Sequence, residues 1–357
     1  MNHRIGIVWD PIFLKHETGT RHPENPERLL SIKASLDAYS GEGELIQIRP
    51  QSASEEDLLR VHSRSYIQTL SEIADRGTTH LDADTPVCAD SYEVAKLAAG
   101  GCIELVRKAL TGSIDAGFAF PRPPGHHAER ERAMGFCLIN NVAVAAAWAI
   151  EEAHLDRIAV VDFDVHHGNG TQWIFYDRRD VLYASTHRSP FYPGSGAVEE
   201  IGDEAGEGFT VNVPLPAGSG DAEILAAYEH IICPIVTEFA PQLLIISAGF
   251  DIHVTDPLGG MKTTTAGIQQ LARLLHVAPG PSCKIIYVLE GGYSDEGLRD
   301  GTTAILDELA ALPGTGQNLS LNEPPSYAVA ARVLPEVRMM LTHFWACLSK
   351  QQSIRIL

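Results

Sequence analysis

The sequence predicts an α/β fold: a single domain with an open, mostly parallel β-sheet and helices on both faces. Short runs rich in β-branched residues alternate with longer stretches of helical periodicity, which is the pattern of a doubly wound sheet. Several of the short runs are almost wholly apolar, as parallel strands covered on both faces should be. The chain has 357 residues and 45% hydrophobic content, enough for a large buried core.

The short runs are predicted strands and the longer patterns are predicted helices. The strands are residues 5–9, 117–120, 158–163, 181–185, 243–248 and 285–289. The helices lie near residues 26–38, 63–75, 91–110, 139–152, 221–239, 264–276 and 295–311. Asn25 is suited to cap the first helix, and Pro26 to take its first position. A turn-rich stretch over 312–325 precedes a last helix near 329–350, whose role is packing or a subunit contact, so a homo-oligomer is a possible state.

Composition excludes several classes of partner. The formal net charge is −19, from 46 acidic and 27 basic residues, which argues against nucleic acid. The 6 cysteines contain no CxxC pair, as expected of a reduced, cytoplasmic protein. No stretch approaches the roughly 20 apolar residues that span a bilayer. We therefore expect a cytoplasmic protein without a membrane or nucleic-acid partner.

Polar clusters directly follow four of the predicted strands. Ligands of open α/β sheets bind beyond the carboxyl ends of the strands, so we expect these clusters to meet there. They are residues 121–127 (PRPPGHH), 162–170 (DFDVHHGNG), 249–257 (GFDIHVTDP) and 290–293 (EGGY).

One of these clusters predicts a metal site. Asp164 and His166 are one residue apart, so in extended backbone they point to the same side. A third carboxylate from another strand end would complete a three-ligand site with an open position, as catalytic zinc requires. Asp251 and Asp256 are both candidates, and spacing alone does not choose between them. The alternative is that Asp164 and His166 cap a helix or pair locally.

The adjacent His126 and His127 predict acid–base chemistry. Burying two imidazoles is unfavourable unless both find partners, and Asp162 and Asn169 are available. A carboxylate partner raises the proton affinity of an imidazole and an amide does not, so the two histidines should differ in charge. That difference suits a general base that later acts as an acid. A surface histidine pair or a second metal site are the alternatives.

Tyr293 is the third candidate for catalysis. It follows Gly291 and Gly292, which permit tight backbone geometry at a strand end. Its hydroxyl could donate to an oxyanion that forms opposite the metal. Otherwise it is an ordinary turn residue.

Together these segments resemble the histone deacetylase superfamily, and within it the class II branch with bacterial histone deacetylase-like amidohydrolases. They occur in the family's order and cover roughly residues 3–300. The matching segments are residues 22–28 (HPENPER), 122–127 (RPPGHH), 135–137 (GFC), 162–171 (DFDVHHGNGT), 256–260 (DPLGG) and 290–293 (EGGY). The resemblance implies an arginase/deacetylase-like fold and one deacetylase domain over 1–357, with a core at about 3–311 and a C-terminal loop and helix over 312–357.

The resemblance also implies roles that spacing leaves open. It implies a zinc site formed by Asp164, His166 and Asp256, with Asp251 at a non-ligand position. It implies that Asp162 backs His126, that Asn169 backs His127, and that Tyr293 stabilises the transition state. A structural K⁺ ion is implied too, with the ligands Asp162, Asp164, His166, Ser185 and Thr186. The implied substrate-binding residues are Gly135, Phe136, Tyr192, Leu258 and, at the rim, Asp90.

The implied reaction is hydrolysis of the acetamide of acetyl-lysine side chains in peptides or proteins. Zinc polarises the carbonyl and lowers the pKa of its bound water, and His127, helped by His126, accepts a proton from that water. Tyr293 and zinc share the oxyanion, and an imidazolium then protonates the departing amine. Leu258 stands where polyamine-selective relatives carry a glutamate, which favours acetyl-lysine over acetylpolyamines.

Other functions remain open at this stage. An acetylpolyamine amidohydrolase would use the same chemistry with an acidic selector elsewhere. An arginase-like ureohydrolase would need a second metal, and the His126–His127, 135–137 and 290–293 segments argue against it. A non-catalytic acetyl-lysine-binding module would lack Tyr293 or a metal ligand, and an acetoin-utilisation protein would not fit Asn169 and residues 22–28. A site of two carboxylates and one imidazole accepts iron(II) as well as zinc.

Overall fold

The strands of the protein form one parallel sheet. A computed structural model describes residues 3–77, 79–311 and 330–349. The strands are β1 (Arg4–Val8), β2 (Glu44–Gln47), β3 (Ala116–Ala119), β4 (Ile158–Asp162), β5 (Val181–Arg188), β6 (Thr210–Leu215), β7 (Leu243–Ala248) and β8 (Lys284–Leu289). Their spatial order is β2-β1-β3-β8-β7-β4-β5-β6, and all neighbouring strands are parallel. The predicted fold class is confirmed.

The helices of the described residues pack around this sheet. They are α1 (Glu27–Ala38), α2 (Glu55–Leu59), α3 (Arg64–Ser71), α4 (Ile73–Arg76), α5 (Ser91–Leu110), α6 (Asn141–Glu151), α7 (Asn169–Phe175), α8 (Asp221–Ala227), α9 (Cys233–Phe239), α10 (Thr265–Val277), α11 (Asp295–Ala310) and α12 (Ala330–Leu341). Helix α6 lies against β4, β7 and α5, which explains why nearly all its residues are buried. Helices α1, α10 and α11 form a second group, in which α11 contacts both of the others. No helix in the part of the chain that the structure describes is long and apolar enough to cross a membrane.

Several predicted helices differ in their boundaries. Pro26 is the N-cap of α1 rather than its first residue, while Asn25 Oδ1 accepts the N–H of Glu27 at 2.9 Å. The helix predicted near 63–75 divides into α3 and α4 at Glu72. The helix predicted near 221–239 contains a π-helical turn at Tyr228–Ile232. The last helix, predicted near 329–350, is α12 followed by a short 3₁₀ helix at Ala346–Leu348; the 312–325 stretch lies outside the described residues.

The topology places the four polar clusters side by side. Strands β3, β8, β7 and β4 are consecutive neighbours in the middle of the sheet, and the clusters follow these four strands. Because the strands are parallel, their carboxyl ends meet at the same edge. Strands β4 and β7 are completely buried, so the backbone that carries the clusters is held rigidly by the core.

Candidate active site

A pocket of 440 Å³ opens at the carboxyl edge of the sheet. All four strand-end clusters contribute to it, together with the loops around residues 84, 135 and 191. Its lining residues are Asp84, Pro124, His126, His127, Gly135, Phe136, Asp164, His166, Phe191, Tyr192, Pro257, Leu258, Gly291 and Tyr293. The convergence expected from the strand ends is therefore what the fold produces.

Three side chains of types that can hold a metal ion form a compact group at this pocket. One possible ligand atom from each of Asp164, His166 and Asp251 lies within 4.8 Å of the others. His166 Nδ1 is 3.0 Å from Asp164 Oδ1 and 3.3 Å from Asp251 Oδ2. Asp251 Oδ1 accepts the N–H of Val165 at 2.9 Å, whereas its buried Oδ2 accepts no well-aligned hydrogen bond. An acceptor in this state is suited to a cation.

Asp256 is the neighbour of this group and is held differently. Its Oδ1 accepts the N–H groups of Leu258 and Gly259, both at 2.9 Å, and its Oδ2 accepts the N–H of Tyr293 at 2.6 Å. Burial raises the pKa of Asp256 and, with the Asp164 and Asp256 carboxylates nearby, raises the pKa of Asp251 to about 7. The structure thus groups Asp251 with Asp164 and His166, and the role of Asp256 as the third zinc ligand stays a prediction.

The two adjacent histidines have the partners expected for them. His126 Nδ1 lies 3.0 Å from Asp162 Oδ2, and His127 Nδ1 lies 2.8 Å from Asn169 Oδ1. The centroids of the two imidazole rings are 4.0 Å apart. All four of these residues are buried.

The surroundings of the two histidines shift their pKa values in opposite directions. Burial lowers the pKa of His126, but the Asp162 and Asp164 carboxylates outweigh burial and raise it to about 10. Burial and the adjacent His126 and His166 keep the pKa of His127 well below its usual value. These opposite shifts favour the charged imidazolium at His126 and the neutral imidazole at His127 at neutral pH.

Tyr293 is held by a tight turn after β8. Gly291 N–H donates to Asp164 Oδ2 at 2.7 Å, and a Cβ on Gly291 would lie 2.2 Å from Asp251 Oδ2. Gly292 has a φ of 115°, which favours glycine. Arg28 supports the turn by donating to the carbonyls of Glu290 and Gly292 at 2.6 and 2.7 Å. Burial raises the pKa of Tyr293 well above its usual value, so its hydroxyl stays protonated.

Arg28 belongs to a buried ion-pair cluster that the motif at residues 22–28 supplies. Arg28 Nη1 lies 3.1 Å from Glu24 Oε1. Arg122, which is fully buried, donates to both carboxylate oxygens of Glu24 and also to the carbonyls of Phe13 and His16. This cluster links the segment before α1 to the turns that carry His126 and Tyr293.

Aromatic rings form the walls of the pocket. Phe136 lies edge-on to Tyr293, with ring centroids 6.2 Å apart, and Tyr192 lies edge-on to His127 at 5.2 Å. Gly135 has a φ of 55°, and a Cβ there would lie 2.4 Å from His127 Cδ2. Leu258 is at the mouth and is 41% exposed.

Two lining residues were missed by the sequence analysis. Phe191 stacks on His166 with ring centroids 5.0 Å apart, and Asp84 supplies a carboxylate at the mouth. The Asp82–Asp84 repeat before α5 was a signal for the second of these. Asp90, predicted at the rim, is exposed at the N-terminus of α5 and does not line the pocket, so its contact with substrate stays a prediction.

Of the residues of the predicted K⁺ site, Asp162, Ser185 and Thr186 are buried, whereas Asp164 and His166 line the pocket. Asp162 and Ser185 are register partners on β4 and β5. Ser185 Oγ lies 3.0 Å from His187 Nδ1, and Thr186 Oγ1 lies 3.3 Å from the Tyr228 hydroxyl. The assignment of an ion here stays a prediction.

The parallel sheet and the pocket at its carboxyl edge define an α/β protein of the arginase/deacetylase-like class. A model of the histone deacetylase domain matches residues 22–309. A probable deacetylase of Archaeoglobus fulgidus is 40% identical over 90% of this chain and 89% of its own length. A histone deacetylase-like amidohydrolase of Pseudomonas aeruginosa is 38% identical over 87% of each chain. A crystal structure of the HDA15 HD domain matches with a TM-score of 0.89 at 36% identity, covering 98% of this chain and 97% of that chain.

The chain therefore belongs to the histone deacetylase family. Within it, the chain is similar to proteins named as deacetylases and amidohydrolases, and its activity is that of a hydrolase of this family.

Proposed function

We propose that this protein is a zinc-dependent deacetylase that hydrolyses the acetamide of acetyl-lysine side chains in peptides or proteins. The observation that carries the proposal is one pocket lined at once by the histidine pair, Asp164, His166 and Tyr293. Phe136 and Tyr192 would pack against the apolar lysine stem, where each buried methylene contributes about 0.8 kcal/mol.

Two carboxylates and one imidazole form a donor set that fits a zinc ion. We assign Asp164, His166 and Asp256 as ligands, a set that iron(II) accepts as well. Asp251, which faces His166 Nδ1 at 3.3 Å, would orient that imidazole. When bound, zinc supplies Lewis acidity, which polarises the acetyl carbonyl and makes the attacking water more acidic.

The side chains of the pocket then move the protons. His127 is neutral and has Nδ1 on Asn169, so its Nε2 accepts the proton of the attacking water. The His126 imidazolium, paired with Asp162, supports the negative charge that develops and helps return a proton to the departing amine. The protonated Tyr293 hydroxyl donates to the oxygen that becomes negative.

Two further assignments belong to the proposal. A structural K⁺ ion would use Asp162, Asp164, His166, Ser185 and Thr186. The protein would act in the cytoplasm on acetylated substrates without a nucleic-acid partner; its 6 free cysteines suit a reducing compartment.

The test is a comparison of substrates with the purified, zinc-loaded chain. We expect faster deacetylation of an acetyl-lysine peptide than of N-acetylputrescine, abolished by a chelator and restored by zinc. Faster turnover of N-acetylputrescine would make the protein an acetylpolyamine amidohydrolase, for which Asp84, which lines the pocket, is an available acidic group. Turnover of neither substrate would favour an acetyl-lysine-binding module.

A substitution at Leu258 tests the choice between these substrates. Leu258 is half-exposed at the mouth, and its side chain cannot form an ion pair with the free ammonium group of an acetylpolyamine. We expect Leu258→Glu to raise kcat/KM for N-acetylputrescine relative to the peptide by about 5-fold, because a partly exposed ion pair is worth about 1 kcal/mol. Leu258→Gln is the uncharged control. An unchanged ratio would place specificity elsewhere in the pocket.

A further inference from the structure

The amide of Asn169 has a second partner that no catalytic role yet uses. Its Oδ1 lies 2.8 Å from His127 Nδ1, and its Nδ2 donates to Glu129 Oε1 at 2.6 Å. The same carboxylate oxygen accepts Arg132 Nη2 at 2.9 Å. A connected chain of polar groups thus runs from the pocket to the surface: His127 and Asn169 are buried, and Glu129 is 22% exposed.

The Glu129 carboxylate determines which groups donate and which accept in this series of hydrogen bonds. An ionised carboxylate only accepts hydrogen bonds, so Glu129 can face only the NH₂ end of the Asn169 amide. The oxygen end of that amide must then face His127, and the ring nitrogen that meets it must carry the proton. His127 consequently has Nδ1 protonated and Nε2 free for the pocket. Without Glu129, Asn169 could rotate and present its NH₂ group to His127, which would move the proton to the wrong nitrogen.

The backbone of Glu129 is itself held in place. His62, which is buried, lies 2.9 Å from the Glu129 carbonyl through Nδ1, and its Nε2 accepts the N–H of Asn140 at 3.0 Å. The Glu129 N–H donates to the Arg132 carbonyl at 3.0 Å. Both the N–H and the carbonyl of Glu129 therefore make hydrogen bonds, which restricts the positions that its side-chain carboxylate can reach.

We propose that Glu129 is a positioning residue for the reaction: it orients the Asn169 amide, and through it sets the tautomer in which His127 acts as a base. This inference rests on the proposed deacetylase function. It also explains why an amide occupies position 169, since an aspartate there would place two carboxylates against each other.

The first test uses substitutions at Glu129 in the zinc-loaded full chain with an acetyl-lysine peptide. Glu129→Leu removes the acceptor, and we expect kcat to fall by about 10- to 100-fold while KM changes less than about 2-fold, because Glu129 does not line the pocket. Glu129→Gln keeps an acceptor oxygen and should retain most of kcat. Glu131→Leu, at an exposed position of the same loop, is the matched control and should be unchanged. A Glu129→Leu enzyme within about 2-fold of the wild-type kcat would overturn the proposal.

A double substitution separates orientation from general damage to the loop. Asn169→Asp should lower kcat because it opposes two carboxylates, and adding Glu129→Lys should recover at least about 10-fold of that loss by restoring an opposite-charge pair. A double variant no more active than Asn169→Asp would contradict the proposal.

The tautomer can be measured without turnover. In ¹⁵N-histidine-labelled protein, the ring nitrogen shifts of His127 should report Nδ1–H in the wild type and a mixture or Nε2–H in Glu129→Leu. Unchanged shifts in Glu129→Leu would overturn the proposal whether or not the enzyme deacetylates the peptide. A wild type that turns over no acetylated substrate would instead remove the proposed function and leave the tautomer measurement valid.

Discussion

Tyr293 contributes its hydroxyl to the pocket, while its backbone and ring are fixed by other contacts. Its N–H is held by Asp256, and the Arg28 guanidinium lies 5.0 Å from the centroid of its ring. Tyr293→Phe keeps both contacts and removes only the hydroxyl, which is the proposed donor to the developing oxyanion. We expect kcat to fall by about 100-fold or more, with zinc content and melting temperature unchanged.

The measurement pairs turnover with metal analysis on the same sample. Tyr176→Phe, whose ring lies 4.7 Å from that of Trp173 and which does not line the pocket, is the control. Full activity of Tyr293→Phe would remove this hydroxyl from the chemistry.

Asp251 and Asp256, which both follow β7, are expected to differ in their effect on metal binding. Asp256→Asn and His166→Ala should each abolish stoichiometric zinc, because both residues are proposed ligands. Asp251→Asn should keep zinc but weaken its binding by about 10- to 100-fold, as expected for a residue that orients a ligand. Zinc titration of the three variants checks this. Loss of zinc in Asp251→Asn together with retention in Asp256→Asn would exchange the two roles.

Residues of the site differ in how far the sequence alone could reveal them. Asp162, Asn169 and the histidine pair could be predicted because they lie at or shortly after the carboxyl ends of buried parallel strands. Such a strand restricts where the residues that follow it can lie. Phe191, Asp84 and Glu129 come from loops whose path depends on tertiary contacts, so no periodicity indicates where they point. For these residues only the folded arrangement shows which groups meet.

At the scale of elements, the segment before α1 is joined to the loop after β3 by a buried carboxylate. Burial raises the pKa of Glu24, but Arg122 and Arg28 outweigh burial and lower it to about 2. Because the folded-state pKa is depressed below about 4.5, this pair stabilises the fold above pH 4.5, and the contribution is lost as the pH falls toward 2. Glu24→Gln leaves Arg122 buried with an incomplete set of partners.

We expect Glu24→Gln to lower the free energy of unfolding by about 3–5 kcal/mol at neutral pH, as when one partner of a buried ion pair is removed. The difference in the free energy of unfolding between Glu24→Gln and the wild type should become smaller as the pH falls from about 4.5 to about 2. Denaturant unfolding at several pH values measures both effects, with the exposed Glu27→Gln as control. A pH-independent difference would show that the Glu24 charge is not what stabilises this junction.

The central elements of the sheet were predictable and its edges were not. Strands β4 and β7 are wholly buried and give continuous apolar runs, so the sequence identifies them. Strands β2 and β6 were both missed, and they are the two edge strands. Strand β2 has 4 residues with partly exposed side chains, and β6 carries Pro214, so neither shows the apolar run of a covered strand.

At the scale of the whole molecule, the C-terminal segment packs on the sheet domain. Helix α12 contacts the edge strand β6 and helix α8. Trp345 is 6% exposed, and its Nε1 donates to the Gly208 carbonyl at 2.8 Å. Its ring lies edge-on to Phe209 and Phe239, at centroid distances of 5.4 and 6.2 Å. These contacts favour packing on the domain as the role of this segment.

If the described residues form one cooperative domain, disrupting this contact should weaken the entire fold rather than release the tail alone. We expect the wild type to unfold in a single transition, and Trp345→Ala to lower the free energy of unfolding by about 3–5 kcal/mol, as for other buried aromatic truncations. Activity at low temperature should be unchanged, because Trp345 does not line the pocket. Calorimetry measures the number of unfolding transitions and the loss of stability. Trp173→Ala, at a position that is 43% exposed, is the control. A second, separate transition in the wild type would show that the C-terminal segment folds independently of the sheet.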